Sequence, residues 1–169
     1  LIDGGFFAYN TSSEISKYFS GTESHNTVML GHHDQMLKGP RFIWLGWTKV
    51  KSVVWEEEDG NINFQGSMKS FRHMGGLVHV RNIKISKHSN TIEVTDTVSN
   101  TFGLRLRQLW HVAPGSLHNV EIRPIERCRQ LTKVQGKGLY SLTYGASENS
   151  EQIEFTSSEN KIACRIRFV

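Results

Sequence analysis

The sequence predicts an all-β protein folded as an antiparallel β-sandwich. Along most of the chain, apolar and polar residues alternate with period two or form short apolar runs, a pattern typical of strands in packed sheets. Turn residues such as Asp59-Gly60 separate these runs at short intervals. Few segments carry the helical period. Regularly spaced strands without intervening helices are typical of two packed antiparallel sheets.

Ten strands are expected, each from its local pattern. In Thr91–Ser99, apolar Ile92, Val94 and Val98 alternate with polar residues, which predicts a half-buried strand. The predicted strands, in chain order, are Thr27–Leu30, Trp47–Trp55, Asn61–Gln65, Leu77–Ser86, Thr91–Ser99, Leu104–Val112, Ser116–Arg123, Leu139–Tyr144, Gln152–Thr156 and Lys161–Val169. The turn signals are Asp59-Gly60, Ser89-Asn90, Ser99-Asn100, Pro114-Gly115, Gln135-Gly136 and Glu159-Asn160. The preceding segment Leu1–Gly46 is irregular, as is typical of segments that build sites on a sheet rim.

Composition limits the class of protein. The 169 residues suffice for one domain, residues 1–169, with its own core. No apolar run reaches the length of about 18 residues that a membrane helix needs. The net charge of +4 favours a polyanionic partner, and the absence of a Lys/Arg block argues against nucleic acid. The chain lacks an initiator Met and ends in a strand-like run, so we expect a piece of a larger protein.

Two cysteines, Cys128 and Cys164, do not have the spacing of a metal or redox pair. We expect buried free thiols, and a disulfide only if the protein is exported.

The segment His25-Asn26-Thr27 places an imidazole, an amide and a hydroxyl directly before an apolar strand. A neutral His25 can accept a proton or bind a metal through one nitrogen, and the alternative is a structural histidine in a turn. Asn26 can donate its amide to a carboxylate or bond the backbone at the turn. Both alternatives stay open.

Other polar residues admit two interpretations each. His32 suits a solvated hairpin tip, and Asp34 suits either a ligand or a turn cap. His73 and His79 suit either a site or ordinary core and surface positions. His111, beside a tryptophan on a predicted strand, is expected to be packed rather than catalytic.

Arg41, Trp44 and Trp47 follow Gly39-Pro40. Arginine can pair a sugar carboxylate or sulfate bidentately, and a tryptophan offers a flat apolar face to a sugar ring. The alternatives are a surface arginine and core aromatics.

Together these motifs resemble the signature of the heparinase II/III-like polysaccharide lyases, in the β-sandwich domain that follows their helical toroid. That signature reads roughly D-x-G-x-Y, then Y-F-R-x-T-x-x-H-N-T-V, D-Q, an Arg and an aromatic, and later H-x-G-Y and H-x-R. Three positions depart from it: Ser20 replaces an Arg, Gly76 replaces a Tyr, and an Arg often found before Tyr18 is Lys17 or absent. The matching residues are Asp3, Gly5, Tyr9, Tyr18-Phe19, Thr22, His25-Asn26-Thr27-Val28, Asp34-Gln35, Arg41-Phe42, Trp44, His73, Gly75, His79 and Arg81.

The resemblance implies a part of an enzyme that cleaves uronic-acid polysaccharides by β-elimination. In such a reaction the sugar carboxylate is neutralised, a base removes the C5 proton and an acid protonates the leaving oxygen. In the family, the toroid supplies an essential Tyr and an Asn or His, and the sandwich supplies a His and a metal. This chain would therefore hold half a site and be inactive by itself.

The resemblance also implies roles for individual residues. His25 and Asn26 would be catalytic, Arg41 and Trp44 would bind substrate, and zinc would be held by His25, Asp34 and His73, with His79 as the alternative to His73. The partners would be an acidic polysaccharide and the α/α-toroid of the same protein. The location would be periplasmic or secreted, with the cytoplasm left open. A non-catalytic carbohydrate-binding module and a domain that braces the toroid are the alternatives.

Overall fold

The computed structural model describes residues 1–40, 43–125 and 132–169, with side chains for all of these except residues 132–135 and 137. One helix, α1 (Ser13–Ser20), precedes the strands, and short 3-10 helices span Thr22–Ser24, Arg72–Met74 and Leu117–Asn119. The strands are β1 (Val28–Leu30), β2 (Leu37–Lys38), β3 (Trp44–Leu45), β4 (Lys49–Glu58), β5 (Asn61–Ser70), β6 (Leu77–Ser86), β7 (Thr91–Val98), β8 (Leu106–Val112), β9 (Val120–Pro124), β10 (Thr132–Thr143), β11 (Ala146–Ser157) and β12 (Lys161–Phe168).

Two antiparallel sheets enclose the core. One has the order β1-β8-β11-β10 and the other the order β4-β5-β6-β7-β12-β9, while β2 and β3 form a separate ribbon. Trp110 and Phe155 of the first sheet pack with Val94, Ile162 and Ile166 of the second in one buried cluster. The predicted antiparallel β-sandwich is confirmed.

The Asp59-Gly60 turn is confirmed in detail. Both residues have positive φ, 46° at Asp59 and 73° at Gly60, and β4 pairs with β5 from Glu58 opposite Asn61 onward. A two-residue turn with positive φ at both positions matches the twist of the strands that it joins, and Asp-Gly is among its favoured sequences.

One turn prediction is wrong. Gln135 and Gly136 lie inside β10, opposite Ile153 and Gln152 of β11. Glycine usually marks a turn or a close approach of the backbone. The second of these reasons, close approach of the backbone, applies to Gly138 in the same strand. A Cβ there would lie 2.8 Å from the Ser150 hydroxyl.

The helix α1 was not expected from the sequence. The Ser12 hydroxyl accepts a hydrogen bond from the amide of Ile15 and caps its first turn, and Phe19 is its one buried residue. A helix of two turns gives little periodic signal in the sequence. The Ser12 cap and the buried Phe19 side chain stabilise this helix instead.

No helix in the described ranges is long and apolar enough to cross a membrane. Cys164 is a buried free thiol, as predicted, and burial raises its pKa. Cys128 lies outside the described residues. The assignment of residues 1–169 to a single domain stays a prediction.

Candidate functional site

The N-terminal segment runs along β8 and builds one side of the candidate site. The amide of Ile2 donates to the carbonyl of His111 at 3.0 Å, and the amide of Gly4 donates to the carbonyl of Ser24 at 3.1 Å. These bonds bring Asp3 next to His25, which directly follows the 3-10 helix Thr22–Ser24.

Asp3 and His25 form a carboxylate–imidazole pair. Nδ1 of His25 lies 2.6 Å from Oδ2 of Asp3, and the amide of Gly5 donates to Oδ1 at 3.1 Å. Partial burial raises the pKa of Asp3, but the bonds from His25 and Gly5 outweigh it and hold that pKa below its usual value. Because a carboxylate only accepts hydrogen bonds, Nδ1 carries the proton and Nε2 of the neutral ring is an acceptor.

The His25 side chain is 40% exposed, so its ring is open to solvent. Among the described residues the ring makes no second hydrogen bond. The arrangement is therefore an oriented imidazole with one open acceptor nitrogen, which is the geometry of a general base. The sequence pattern contained Asp3 but did not indicate its role, because the two residues are far apart along the chain.

Asn26 bonds to backbone on both sides. Its Nδ2 donates to the carbonyl of Ile2 at 2.8 Å, and its Oδ1 accepts from the amide of His111 at 2.7 Å. The side chain thus ties the N-terminal segment to β8, which favours the backbone-bonding interpretation over direct contact with substrate.

His111 lies buried behind the Asp3–His25 pair. Its Nε2 donates to the carbonyl of Glu23 at 2.9 Å, and its Nδ1 has no hydrogen-bond partner among the described residues. Burial lowers the pKa of His111; the bond to Glu23 opposes this and the nearby His25 adds to it. A packed histidine was expected at this position, although not its proximity to His25.

The buried carboxylate of Asp96, on β7, is the centre of a hydrogen-bonded cluster next to the site. It accepts from Arg81 at 2.8 and 2.9 Å, from Nε2 of His79 at 2.7 Å and from Nε2 of Gln108 at 2.7 Å. Burial raises the pKa of Asp96, but Arg81 and His79 outweigh it and hold that pKa well below its usual value. We call these four side chains the Asp96 cluster; it joins both sheets, since Gln108 belongs to β8.

The Asp96 cluster also reaches the site itself. Nη1 of Arg81 donates to the carbonyl of Asn26 at 2.7 Å, the residue that follows His25. The H-x-R segment of the sequence, His79 to Arg81, therefore holds the backbone of the His25 segment in place. The sequence did not indicate the bond between Arg81 and Asn26, because the two residues are 55 positions apart along the chain. Nor did it single out Asp96, which lies in an ordinary strand pattern.

Asp34 and Gln35 hold the chain on either side of His25. Oδ1 of Asp34 accepts from the amide of Thr22 at 2.6 Å. Nε2 of Gln35 donates to the Thr27 hydroxyl at 2.9 Å and to the carbonyl of Val28 at 3.1 Å. The cap role considered for Asp34 is thus the one that its hydrogen bond supports.

The predicted metal ligands do not assemble. Asp34 caps Thr22, and the structure pairs His25 with Asp3 and His79 with Asp96. His73 lies near His33, with ring centroids 6.0 Å apart. Burial lowers the pKa of His73, and the nearby His33 lowers it further. The nearby Asp34 has the opposite effect on this pKa. Within the described residues, no three His, Cys, Asp or Glu side chains group closely enough to hold a metal ion, so these residues do not fit zinc as placed.

Of the predicted substrate contacts, Trp44 can be placed. It lies on β3 with Nζ of Lys38 4.7 Å from its ring centroid, and Lys38 also donates to the Ser20 hydroxyl at 3.3 Å. A cation held over a half-buried aromatic ring offers a charge and an apolar face together. Arg41 lies outside the described residues.

A group of three exposed aromatic rings adjoins the N-terminal segment. Phe6 and Tyr9 have ring centroids 4.8 Å apart, and Tyr144 lies 6.4 Å from Phe6. Their exposed fractions are 45%, 63% and 64%. The sequence alone does not reveal these residues as a group, because Tyr144 joins the others only through the fold.

Comparisons with known proteins agree with the fold. A family model described as heparinase II/III-like, C-terminal, matches residues 1–168. No curated protein sequence matches the chain.

Two solved structures of longer proteins contain the same fold. Heparinase III, the BT4657 gene product, is 13% identical with a TM-score of 0.70, over 97% of this chain and 27% of that chain. The heparan sulfate lyase HepC from Pedobacter heparinus is 15% identical with a TM-score of 0.74, over 98% of this chain and 28% of that chain. At such identity the likeness shows the fold alone. The chain spans little more than a quarter of the length of either protein.

Proposed function

The chain belongs to the heparinase II/III-like C-terminal family, and from this premise we propose that it is the β-sandwich part of a polysaccharide lyase. The substrate class is a uronic-acid-containing polysaccharide, cleaved by β-elimination. The observation that carries the proposal is the exposed imidazole of His25, oriented through Nδ1 by Asp3 at 2.6 Å.

The reaction requires a base of this kind. Removal of the C5 proton and departure of the C4 oxygen create a C4=C5 double bond, and the leaving oxygen takes up a proton. Nε2 of His25 accepts the C5 proton, while Asp3 stabilises the imidazolium that forms. The sugar carboxylate must also be neutralised before the C5 proton becomes acidic enough. This last task, and protonation of the leaving oxygen, fall to the toroid and substrate contacts.

Two surfaces support contact with an acidic sugar chain. Lys38 over the Trp44 ring combines a positive charge with a flat apolar face, which suits a uronate ring. Phe6 and Tyr9 follow Asp3 within one short segment of the chain, and the Tyr144 ring lies 6.4 Å from that of Phe6. Arg41 remains a proposed partner of the sugar carboxylate. The net charge of +4 acts in the same direction.

The half-site has a consequence for assays. Because the family places a further Tyr and an Asn or His on the toroid, this chain alone should bind weakly and turn over little or no substrate. The test therefore uses the full-length protein and a panel of heparan sulfate, hyaluronan, alginate and bacterial capsular polymers. Heparan sulfate comes first, since HepC is a heparan sulfate lyase.

The decisive variant is His25→Ala. We expect turnover, followed by the ultraviolet absorbance of the unsaturated uronate product, to fall by about 10²-fold or more, with substrate binding nearly unchanged. The matched control is His32→Ala, an exposed histidine outside the pair with Asp3. Equal turnover in His25→Ala and in the natural protein would overturn the proposal.

A carbohydrate-binding module is the second candidate, and the three exposed aromatic rings favour it. It predicts that Phe6→Ala and Tyr144→Ala lose affinity for the polysaccharide while no substrate in the panel is cleaved. Cleavage that depends on His25 would exclude it in favour of the lyase.

Two implications of the resemblance are tested separately: zinc, which the described residues are not placed to hold, and export from the cytoplasm. Elemental analysis of the full-length protein, with His73→Ala for comparison, tests zinc binding. Fractionation of the producing cells tests export to the periplasm or medium.

A further inference from the structure

Within the described residues, strand β4 is the most exposed element. All ten of its residues, Lys49–Glu58, are exposed, including Val50 at 74%, Val53 at 60% and Trp55 at 59%. It is the outermost strand of its sheet and, among the described strands, pairs with β5 alone. A long edge strand of this kind offers unpaired backbone N–H and C=O groups to another strand.

The charges of β4 are divided between its ends. Lys49 and Lys51 lie at the start, whereas Glu56, Glu57 and Glu58 lie at the end. If two copies of the strand lie antiparallel, the lysine end of each faces the glutamate end of the other. A parallel pair would place like charges together, which is unfavourable in a sheet.

We propose that β4 pairs antiparallel with β4 of a second copy, joining the six-stranded sheets of two molecules into one continuous sheet. Charges that only protect an edge from pairing need a single sign, because like charges repel in every arrangement. The two signs of β4 instead repel in one arrangement and attract in the other. This inference rests on β4 alone and is independent of the proposed function.

Symmetry restricts the register. Two-fold pairing uses the same surface on both copies, and an axis perpendicular to the sheet sets one residue opposite its own copy. With Val54 on the axis, Val53 lies opposite Trp55 of the partner subunit, and the lysine end of one strand lies beside the glutamate end of the other. An apolar centre is then flanked by opposite charges. A β-bulge between Val50 and Ser52 ends the regular pairing at the lysine end.

Charge exchange in the full-length protein tests the proposal. Lys49→Glu/Lys51→Glu and Glu56→Lys/Glu58→Lys should each raise the dimer dissociation constant about tenfold or more. An equimolar mixture of the two variants should form a heterodimer, because their opposed ends are complementary again. Arg105→Glu/Lys161→Glu changes the net charge as much as the first variant at exposed positions away from β4 and should leave the dimer intact. Light scattering after size-exclusion chromatography measures all four.

Cross-linking tests the register. In a Cys128→Ser background, Val54→Cys should form a disulfide with its own copy, whereas Val50→Cys, which is more exposed but away from the axis, should not. The proposal is overturned if the full-length protein is monomeric, as it would be if the helical domain covered β4. It is equally overturned if the charge variants still dimerise or if their mixture does not.

Discussion

Asp3 and His25 meet across 22 residues of chain, with Nδ1 of the ring 2.6 Å from a carboxylate oxygen. Neither residue lies in a strand. Their positions are set instead by backbone bonds of the N-terminal segment to His111 and Ser24. The pair is thus formed by a segment that the sheets hold in place, and its chemistry depends on that attachment.

Asp3→Asn tests the orienting role. An amide can donate to Nδ1 and would then place the ring proton on Nε2, so His25 could no longer accept a proton there. We expect kcat of the full-length protein in the proposed lyase reaction to fall by about 10²-fold, with KM and thermal unfolding little changed. Asp59→Asn makes the same chemical change in the exposed β4–β5 turn and should have no effect. Unchanged kcat in Asp3→Asn would assign the pair a structural role.

Asp96→Asn tests the buried cluster. The change leaves Arg81, whose side chain is only 20% exposed, without its counter-charge, so we expect a loss of about 3–5 kcal/mol in the free energy of unfolding. Glu93→Gln breaks the exposed ion pair with Arg165 and should cost under about 1 kcal/mol. Urea unfolding with unchanged m values measures both. Similar losses in the two variants would contradict the central role of Asp96.

Gly138→Ala tests a close approach of backbone and side chains. The new Cβ would lie 2.8 Å from the Ser150 hydroxyl, 2.9 Å from the Tyr18 hydroxyl and 3.2 Å from Nδ1 of His111. We expect a loss of about 1–3 kcal/mol in stability, as for overpacking. Gly136→Ala is the matched control in the same strand, since its Cβ would meet nothing within 4 Å. Equal stability of the two variants would show that the strands can shift to accept a methyl group.

The buried His111 predicts a pH dependence of stability. Burial lowers its pKa in the folded protein, so between that pKa and the unfolded value of about 6.5 the unfolded chain binds more protons. Stability should therefore fall as the pH drops below about 6.5. His111→Gln should flatten this slope without abolishing it, because the pKa of His73 is lowered as well. Thermal unfolding from neutral to mildly acidic pH, with His32→Gln as the control, measures the slope; a slope unchanged in His111→Gln would remove His111 as its source.

The sequence predicted the sheets better than the site. The alternation of apolar and polar residues predicts both ends of β6 correctly, at Leu77–Ser86, because the side chains that a strand buries recur with period two in its own sequence. The partners of His25 come from distant segments, and no local pattern encodes them. Asp96 looks like any polar residue of a half-buried strand, yet it binds residues of both sheets. Its importance follows from long-range pairing alone.

The family signature also proved to mix two kinds of residue. Asn26, Gln35 and Arg81 serve the backbone around His25, whereas His25 itself presents an open ring. A motif match weighs all of them equally. A motif match therefore predicts the fold more reliably than it predicts which residue takes part in the chemistry.

This division bears on how such domains lose activity. Substitution of Arg81 would unsettle the fold, whereas substitution of Asp3 or His25 would leave the buried bonds in place. A relative that has abandoned catalysis would accordingly keep most of the signature and still be recognised by it. If His25 is the base, as proposed, the Asp3–His25 pair is what would separate a working enzyme from a relative that keeps only the fold.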